Sequence, residues 1–167
     1  TLYVVYGSAD AATALSSSLE NADAFFHGTD YFSQLPAAVT SGDLNGDGYD
    51  DLLVSEHPNF TNGVVYLFYG SAVRWSGVVS LASADAQFTA GINGGYGNGN
   101  NMSIGDINAD GYGDLFIGDY GDNTTASYAG AVALFYGSAT PFAGSISVDS
   151  ADARWFGAAA SDDLGGK

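Results

Sequence analysis

The chain has 167 residues, with 19 acidic and 3 basic side chains, a net charge of −16, 46% hydrophobic residues and no cysteine. That balance excludes binding to a nucleic-acid backbone, which rests on Lys and Arg, and disfavours an anionic membrane surface. It permits one packed domain without a disulfide framework, and no stretch reaches the ~18 apolar residues needed to insert across a bilayer.

The chain opens on Leu2-Tyr-Val-Val-Tyr-Gly-Ser-Ala9, a strand running into a turn. Thr1 reads as a processed or trimmed start. Ala11–Glu20 is the single, weak helix candidate. Ala22-Asp-Ala-Phe-Phe26 follows, and then a strand over Ala38–Asp43 enters an acidic loop. That loop, Asp43-Leu-Asn-Gly-Asp-Gly-Tyr-Asp-Asp51, runs into a second strand, Asp51–Glu56. A polar turn, Asn59–Gly63, leads to a third strand, Val64–Tyr69, which ends in Tyr69-Gly-Ser71. A fourth strand is expected over Val78–Ala82, before Ala84-Asp-Ala-Gln-Phe88.

The same order then returns. Gly91–Asn101 is Gly/Asn-rich and reads as a surface loop, not a phosphate cradle, because it lacks the Gly-Lys-Ser/Thr ending. Strands are expected over Asn101–Asp106, Asp114–Gly118, Ala131–Tyr136 and Ser145–Val148. The second acidic loop is Asp106-Ile-Asn-Ala-Asp-Gly-Tyr-Gly-Asp114, 63 residues after the first. Tyr136-Gly-Ser138 and Ala151-Asp-Ala-Arg-Trp155 close the series. A long period filled with short strands indicates propeller blades or a related array. The reading is an all-β chain of β-propeller blades of four antiparallel strands, about two and a half blades in all. Its units are the end of a preceding blade at 1–20, a full repeat at 21–82, a second at 83–148 and the start of a third at 149–167.

Oxygen-bearing side chains fall at positions 1, 3, 5 and 9 of both acidic loops, with Gly at position 6. Ca²⁺ takes about 6–8 oxygen ligands at roughly 2.3–2.6 Å, and a tight loop can aim alternate residues at one centre. The candidate ligands are Asp43, Asn45, Asp47, the Tyr49 carbonyl and Asp51, and then Asp106, Asn108, Asp110, the Tyr112 carbonyl and Asp114. The bland alternative is an Asp/Asn/Gly turn without metal, since these residues favour turns; a matching pair of loops weighs against it. An EF-hand is excluded because position 12 is Val54 or Ile117, not Glu, and strands flank the loops. Asp50, replaced by Gly113 in the second loop, is expected to face outward.

The strand–acidic loop–strand unit, with its following Tyr-Gly-Ser strand, resembles the FG-GAP repeat of integrin α-subunit propellers and their bacterial relatives. Trp155-Phe-Gly157 matches the namesake Phe-Gly; Phe26-His-Gly28 and Phe88-Thr-Ala-Gly91 are looser, and the Gly-Ala-Pro element is degraded to Ser55-Glu-His-Pro58. The resemblance implies two structural Ca²⁺ ions, one per loop, on the face opposite any ligand-binding loops. It also implies a secreted or cell-surface, non-catalytic module for adhesion, recognition or surface assembly. A complete propeller needs more repeats, so the expected partners are the rest of a longer propeller or other copies of the chain, besides a protein or glycan ligand. A carbohydrate-binding lectin is the alternative, with Trp75, Phe142 and Trp155 as stacking candidates, although packing is their blander role. A non-catalytic part of a secreted hydrolase is a second alternative. His27 and His57, 30 residues apart, are expected to be solvated or in turns. The Tyr-Gly-Ser serines read as structural. Asn59 and Asn123 fit a glycosylation sequon.

Overall fold

Short apolar runs bounded by Gly, Asn, Asp and Ser become strands throughout the computed structural model, which describes residues 1–7, 19–29, 33–57, 62–91 and 98–166. In chain order these are β1 (Leu2–Val4), β2 (Ala24–His27), β3 (Val39–Gly42), β4 (Asp51–Glu56), β5 (Val64–Phe68) and β6 (Gly77–Ser80). They continue as β7 (Ala86–Thr89), β8 (Asn98–Gly105), β9 (Asp114–Asp119), β10 (Ala131–Phe135), β11 (Gly144–Ser147) and β12 (Ala153–Phe156). No α-helix occurs among the described residues. Most of the Ala11–Glu20 candidate lies outside them, and Leu19–Asn21 is a single 3-10 turn. The Asn59 sequon also lies outside them.

The strands form three sheets, ordered β1-β2-β6, β11-β7-β5-β4-β3 and β12-β10-β9-β8. β4 and β5 are buried on both faces, which is why they read as unbroken apolar runs. Strands β3-β4-β5-β7 are mutually antiparallel. The fourth strand differs from the sequence expectation. Val78 lies in β6, which leaves its own repeat and pairs in parallel with β2 of the preceding sheet. Ser145 lies in β11, which pairs in parallel with β7 in the same way. The fourth antiparallel strand is instead the Ala-Asp-Ala element itself, as β7 and β12.

Three recurring aspartates explain this. Asp23, Asp85 and Asp152 each accept a hydrogen bond from the backbone N–H of the motif tyrosine, Tyr6, Tyr69 and Tyr136, each at 2.8 Å. The Asp85 N–H donates to the Leu67 carbonyl at 2.9 Å, so Ala86–Thr89 is turned back along β5. The Asp23 and Asp85 carbonyls then accept from Gly77 (2.8 Å) and Gly144 (3.0 Å), the first residues of the arriving parallel strands. Ser80 and Ser147 cap the 3-10 turns that follow.

Two cores lie between successive sheets. Phe26 packs edge-on against Phe68 at 5.0 Å and Trp75 at 6.1 Å, together with Val54, Tyr66 and Leu81. One period later Phe88 packs against Phe135 at 5.0 Å and Phe142 at 5.4 Å, with Leu53, Leu67, Leu115 and Val148. Trp75 and Phe142 therefore occupy equivalent packing positions. The Gly/Asn-rich stretch ends in β8, where the ladder slips between Asn98 and Asn101. Gly99 sits at that slip with φ 77°, and a Cβ there would collide with Val65. That part is strand where the sequence indicated loop; residues 92–97 lie outside the described residues.

The motif glycines are required by close approach. A Cβ on Gly70 would strike the Asp50 carbonyl oxygen, and one on Gly137 would strike that of Gly113. Gly137→Ala should destabilise the fold by about 2–3 kcal/mol, as overpacking against backbone does, seen as a lower midpoint in urea with unchanged slope. Burial holds the Tyr66 hydroxyl up at about 12, aided by the charge of Glu56. Burial also raises Tyr69 to about 12, aided by Asp51 and Asp85. The unfolded chain ionises these phenols near pH 10 and the folded chain only near 12, so stability should fall as pH rises through that window. Tyr66→Phe should shallow the fall in alkaline denaturation, and two phenols should titrate late by ultraviolet absorbance.

Candidate metal loops

Each acidic loop joins two antiparallel strands, β3 to β4 and β8 to β9. Within the first loop the side chains turn toward its own amides. Asp43 accepts from the N–H groups of Gly46 (2.7 Å), Asp47 (3.1 Å) and Gly48 (2.8 Å). Asn45 accepts from Asp47 at 3.0 Å, and Asp47 accepts from Tyr49 at 2.9 Å. The Asn45 amide group donates back to Asp47 at 3.0 Å.

The second loop repeats these contacts almost bond for bond. Asp106 accepts from Asp110 (3.1 Å) and Gly111 (2.9 Å). Asn108 accepts from Asp110 at 2.9 Å and donates to it at 3.0 Å. Asp110 accepts from Tyr112 at 2.9 Å. The position-6 glycines, Gly48 and Gly111, have φ of 87° and 93°, the left-handed bend expected there. At position 4 the left-handed conformation is held by Gly46 in one loop and Ala109 in the other, with φ of 73° and 61°.

The ninth-position aspartates differ from the rest by being wholly buried. Asp51 accepts from Leu44 at 2.9 Å and Gly70 at 2.8 Å. Asp114 accepts from Ile107 at 2.9 Å and Gly137 at 3.0 Å. Each thus ties the head of its loop to the Tyr-Gly-Ser end of the third strand. Burial pushes the Asp51 carboxyl up, the two amides pull it back, and the charges of Asp47 and Asp43 push it up further. Three carboxylates therefore act on one another in this loop.

Among the described residues no three His, Cys, Asp or Glu side chains are gathered into a ready-made cage. The donor set nonetheless fits a hard divalent cation. Its side chains offer only oxygen at positions 1, 5 and 9 and a carboxamide oxygen at 3, and their mutual repulsion is what a cation relieves. The loops also touch: Gly113 donates its N–H to the Asp43 carbonyl at 3.1 Å. A Cβ at Gly113 would lie 2.6 Å from that oxygen, so the second loop has Gly where the first has Asp50, which is exposed.

Other candidates resolve differently. An open pocket of about 380 Å³ lies beside the first loop, lined by Tyr6, Tyr49, Asp50, Gly70, Arg74 and Trp75. Arg74 sits over the Tyr6 ring at 4.8 Å, and the Tyr6 hydroxyl accepts from the backbone N–H of Trp75 at 2.8 Å. Phe142 is committed to packing, whereas Trp155 is exposed and stacked on Phe116 at 6.3 Å. His27 is exposed, as expected, and contacts the Thr1 hydroxyl. His57 is not solvated: it is buried and bridges Gln34 through the backbone. The serines Ser71 and Ser138 bond within their own turns.

Sequence reasoning missed the amides of Gly70 and Gly137 as partners of the ninth-position aspartates. It also missed Asp23, Asp85 and Asp152 as organisers of the next strand. The signal was present: Tyr-Gly-Ser and Ala-Asp-Ala recur at a fixed mutual distance in the second and third copies. No helix among the described residues is long and apolar enough to cross a membrane. No curated protein matches the chain. Residues 35–68, which span β3, the first acidic loop, β4 and β5, match the family model of the FG-GAP repeat.

Proposed function

We propose that this chain is a calcium-stabilised, extracellular β-propeller module for adhesion, recognition or surface assembly, without catalysis of its own. The observation that carries this reading is the match of the two acidic loops at positions 1, 3, 5, 6, 7 and 9 and in nearly all their hydrogen bonds, around a buried ninth-position carboxylate. The FG-GAP match across the first loop supports it, as does the repetition of a strand–loop–strand unit whose sheets pack face to face.

Asp43, Asn45, Asp47, the Tyr49 carbonyl and Asp51 would hold one ion, and Asp106, Asn108, Asp110, the Tyr112 carbonyl and Asp114 the other. A bound Ca²⁺ supplies positive charge where the carboxylates repel. The chain's own part is to fix the loop backbone in advance through its Asx turns and its left-handed glycines. With 19 acidic residues against 3 basic ones, the protein itself offers little countercharge. Millimolar extracellular calcium saturates even weak sites of this kind.

A glycan ligand is the second reading, and the pocket beside the first loop favours it. Tyr6, Tyr49 and Trp75 give it aromatic walls, and Asp50 and Arg74 give it polar groups, the mixture that sugar faces and hydroxyls need.

Calcium should raise the melting temperature relative to EDTA, because each bound ion adds about 2.7 kcal/mol of stability at a hundredfold excess over Kd, and calorimetry should count two ions per chain. Asp47→Ala and Asp110→Ala should each remove one ion and change metal-free stability little, since both side chains are exposed. Asp51→Ala should weaken the metal-free fold as well, because it strips the partner from the buried Leu44 amide and from the half-buried Gly70 amide. No ion bound and no thermal shift would end the calcium reading. For the glycan reading, array binding that vanishes in Arg74→Ala supports it, and a blank array removes it.

A further inference from the structure

The two acidic loops match at six of their nine positions and differ at positions 2, 4 and 8. All three differences fall where one repeat meets the other. At position 2, Leu44 is buried in the core that also holds Leu115, the residue after Asp114 of the second loop. At position 4, a Cβ on Gly46 would lie 3.0 Å from the Tyr112 ring of the second loop. The left-handed backbone does not itself demand glycine there, because Ala109 adopts it at the same position of the second loop. At position 8, Gly113 leaves room for the Asp43 carbonyl, while its counterpart Asp50 is exposed. The loops are fitted to each other as well as repeated.

One peptide group joins them, the unit between Asp43 and Leu44. Its N–H donates to Asp51, the ninth residue of its own loop, at 2.9 Å. Its carbonyl accepts the Gly113 N–H of the second loop at 3.1 Å. Gly113 stands between the Tyr112 carbonyl and the Asp114 carboxylate, both candidate ligands of the second ion. A backbone route therefore links one buried ninth-position aspartate to the other.

We propose that calcium binding at the two loops is coupled, so that an ion in either loop raises the affinity of the other through the contact of Asp43 with Gly113. The proposal rests on the calcium reading of both loops. Each loop holds three carboxylates, which repel one another until an ion is present. With the first loop filled, Asp43 and Asp51 are held to one centre, and the peptide between them is fixed. Gly113 is then fixed too, with a second-loop ligand on either side of it. The second loop has less motion left to lose when it binds, and linkage makes the effect reciprocal. Charge acts the other way, because a filled loop attracts the next cation less. Salt screens that opposition over about 8 Å at physiological ionic strength but leaves the hydrogen bond in place. Coupling therefore grows with salt even as each site weakens.

Calorimetric titration of the parent chain gives the product of its two association constants. Titration of Asp110→Ala gives the first loop alone, and titration of Asp47→Ala gives the second alone. The coupling factor is the parent product divided by the product of these two single-loop constants. The expected factor is about five or more at physiological salt, and larger at higher salt. Gly113→Ala places a Cβ against the Asp43 carbonyl and should bring the factor, measured in its own background, toward one. Both of its loops should still bind, since the first loop carries Asp50 at the same position. A second readout needs no change at Gly113. In Asp110→Ala, where only the first loop fills, calcium should slow hydrogen exchange at the Gly113 amide severalfold. Two ions bound with a factor of one or less overturn the coupling and leave the calcium reading standing. An unchanged Gly113 exchange rate, or a factor that survives in folded Gly113→Ala, overturns this contact as the route. No ion bound ends the calcium reading and this inference with it.

Discussion

The structure depends on a buried carboxylate held by two amides. Asp51 and Asp114 are fully buried, and each accepts one N–H from the head of its own loop and one from the glycine that ends the third strand. A charge taken out of water is costly unless its lone pairs are satisfied. Here both carboxylate oxygens are satisfied by backbone, and the price is geometric: the loop must lie against the strand end. That contact is what leaves no room for a side chain at Gly70 or Gly137. The acidic loop and the Tyr-Gly-Ser motif are therefore one device, although more than ten residues of strand and turn separate them in the chain.

A second carboxylate continues the chain of dependence. The N–H of the tyrosine just before that glycine is taken by the aspartate of Ala-Asp-Ala, three times over at the same 2.8 Å. The same aspartate fixes where β7 turns back and where the next repeat's parallel strand begins. Two acids per repeat thus set the loop, the strand end and the handover to the neighbouring sheet. Basic residues contribute elsewhere: Arg154 bridges Asp122 at 3.0 Å and Asp149 at 2.6 Å. Most of the acidic excess is held by backbone amides rather than by cations, and that is why so few basic residues suffice.

What could be read from the sequence was what local chemistry decides. β4, β5, β9 and β10 lie where apolar runs between turn residues place them, and the loop glycines have the left-handed backbone their position demands. What could not be read was partnership. Gly77–Ser80 has the composition of a strand, but its pattern is mostly exposed and says nothing about which sheet receives it. Its parallel place beside β2 is set by the Asp23 carbonyl, a contact across more than fifty residues. Trp75, Phe142 and Trp155 look alike as candidate stacking residues, yet the first two pack on Phe26 and Phe88 while the third faces solvent. Residue type does not separate them; the presence of a neighbouring sheet does. His57 is buried, and its backbone bridges Gln34, a partner no local pattern indicates.

Each sheet is joined to the next by two separate terms, the apolar core between them and a strand lent in parallel by the following repeat. In a stacked array with nearest-neighbour coupling, stability is a sum of unit and interface terms. Lending a strand alters that sum, because the interface and the unit no longer form independently. If the third sheet opens, β11 is left on the second sheet between two opened segments of chain, held only by β7, and Phe88 loses Phe135. If the second opens, β6 is left on the first sheet held only by β2, and Phe26 loses Phe68. Shared strands couple the repeats, so they should unfold together rather than fray one at a time, and a change to a single acidic loop should act on sheets it does not touch.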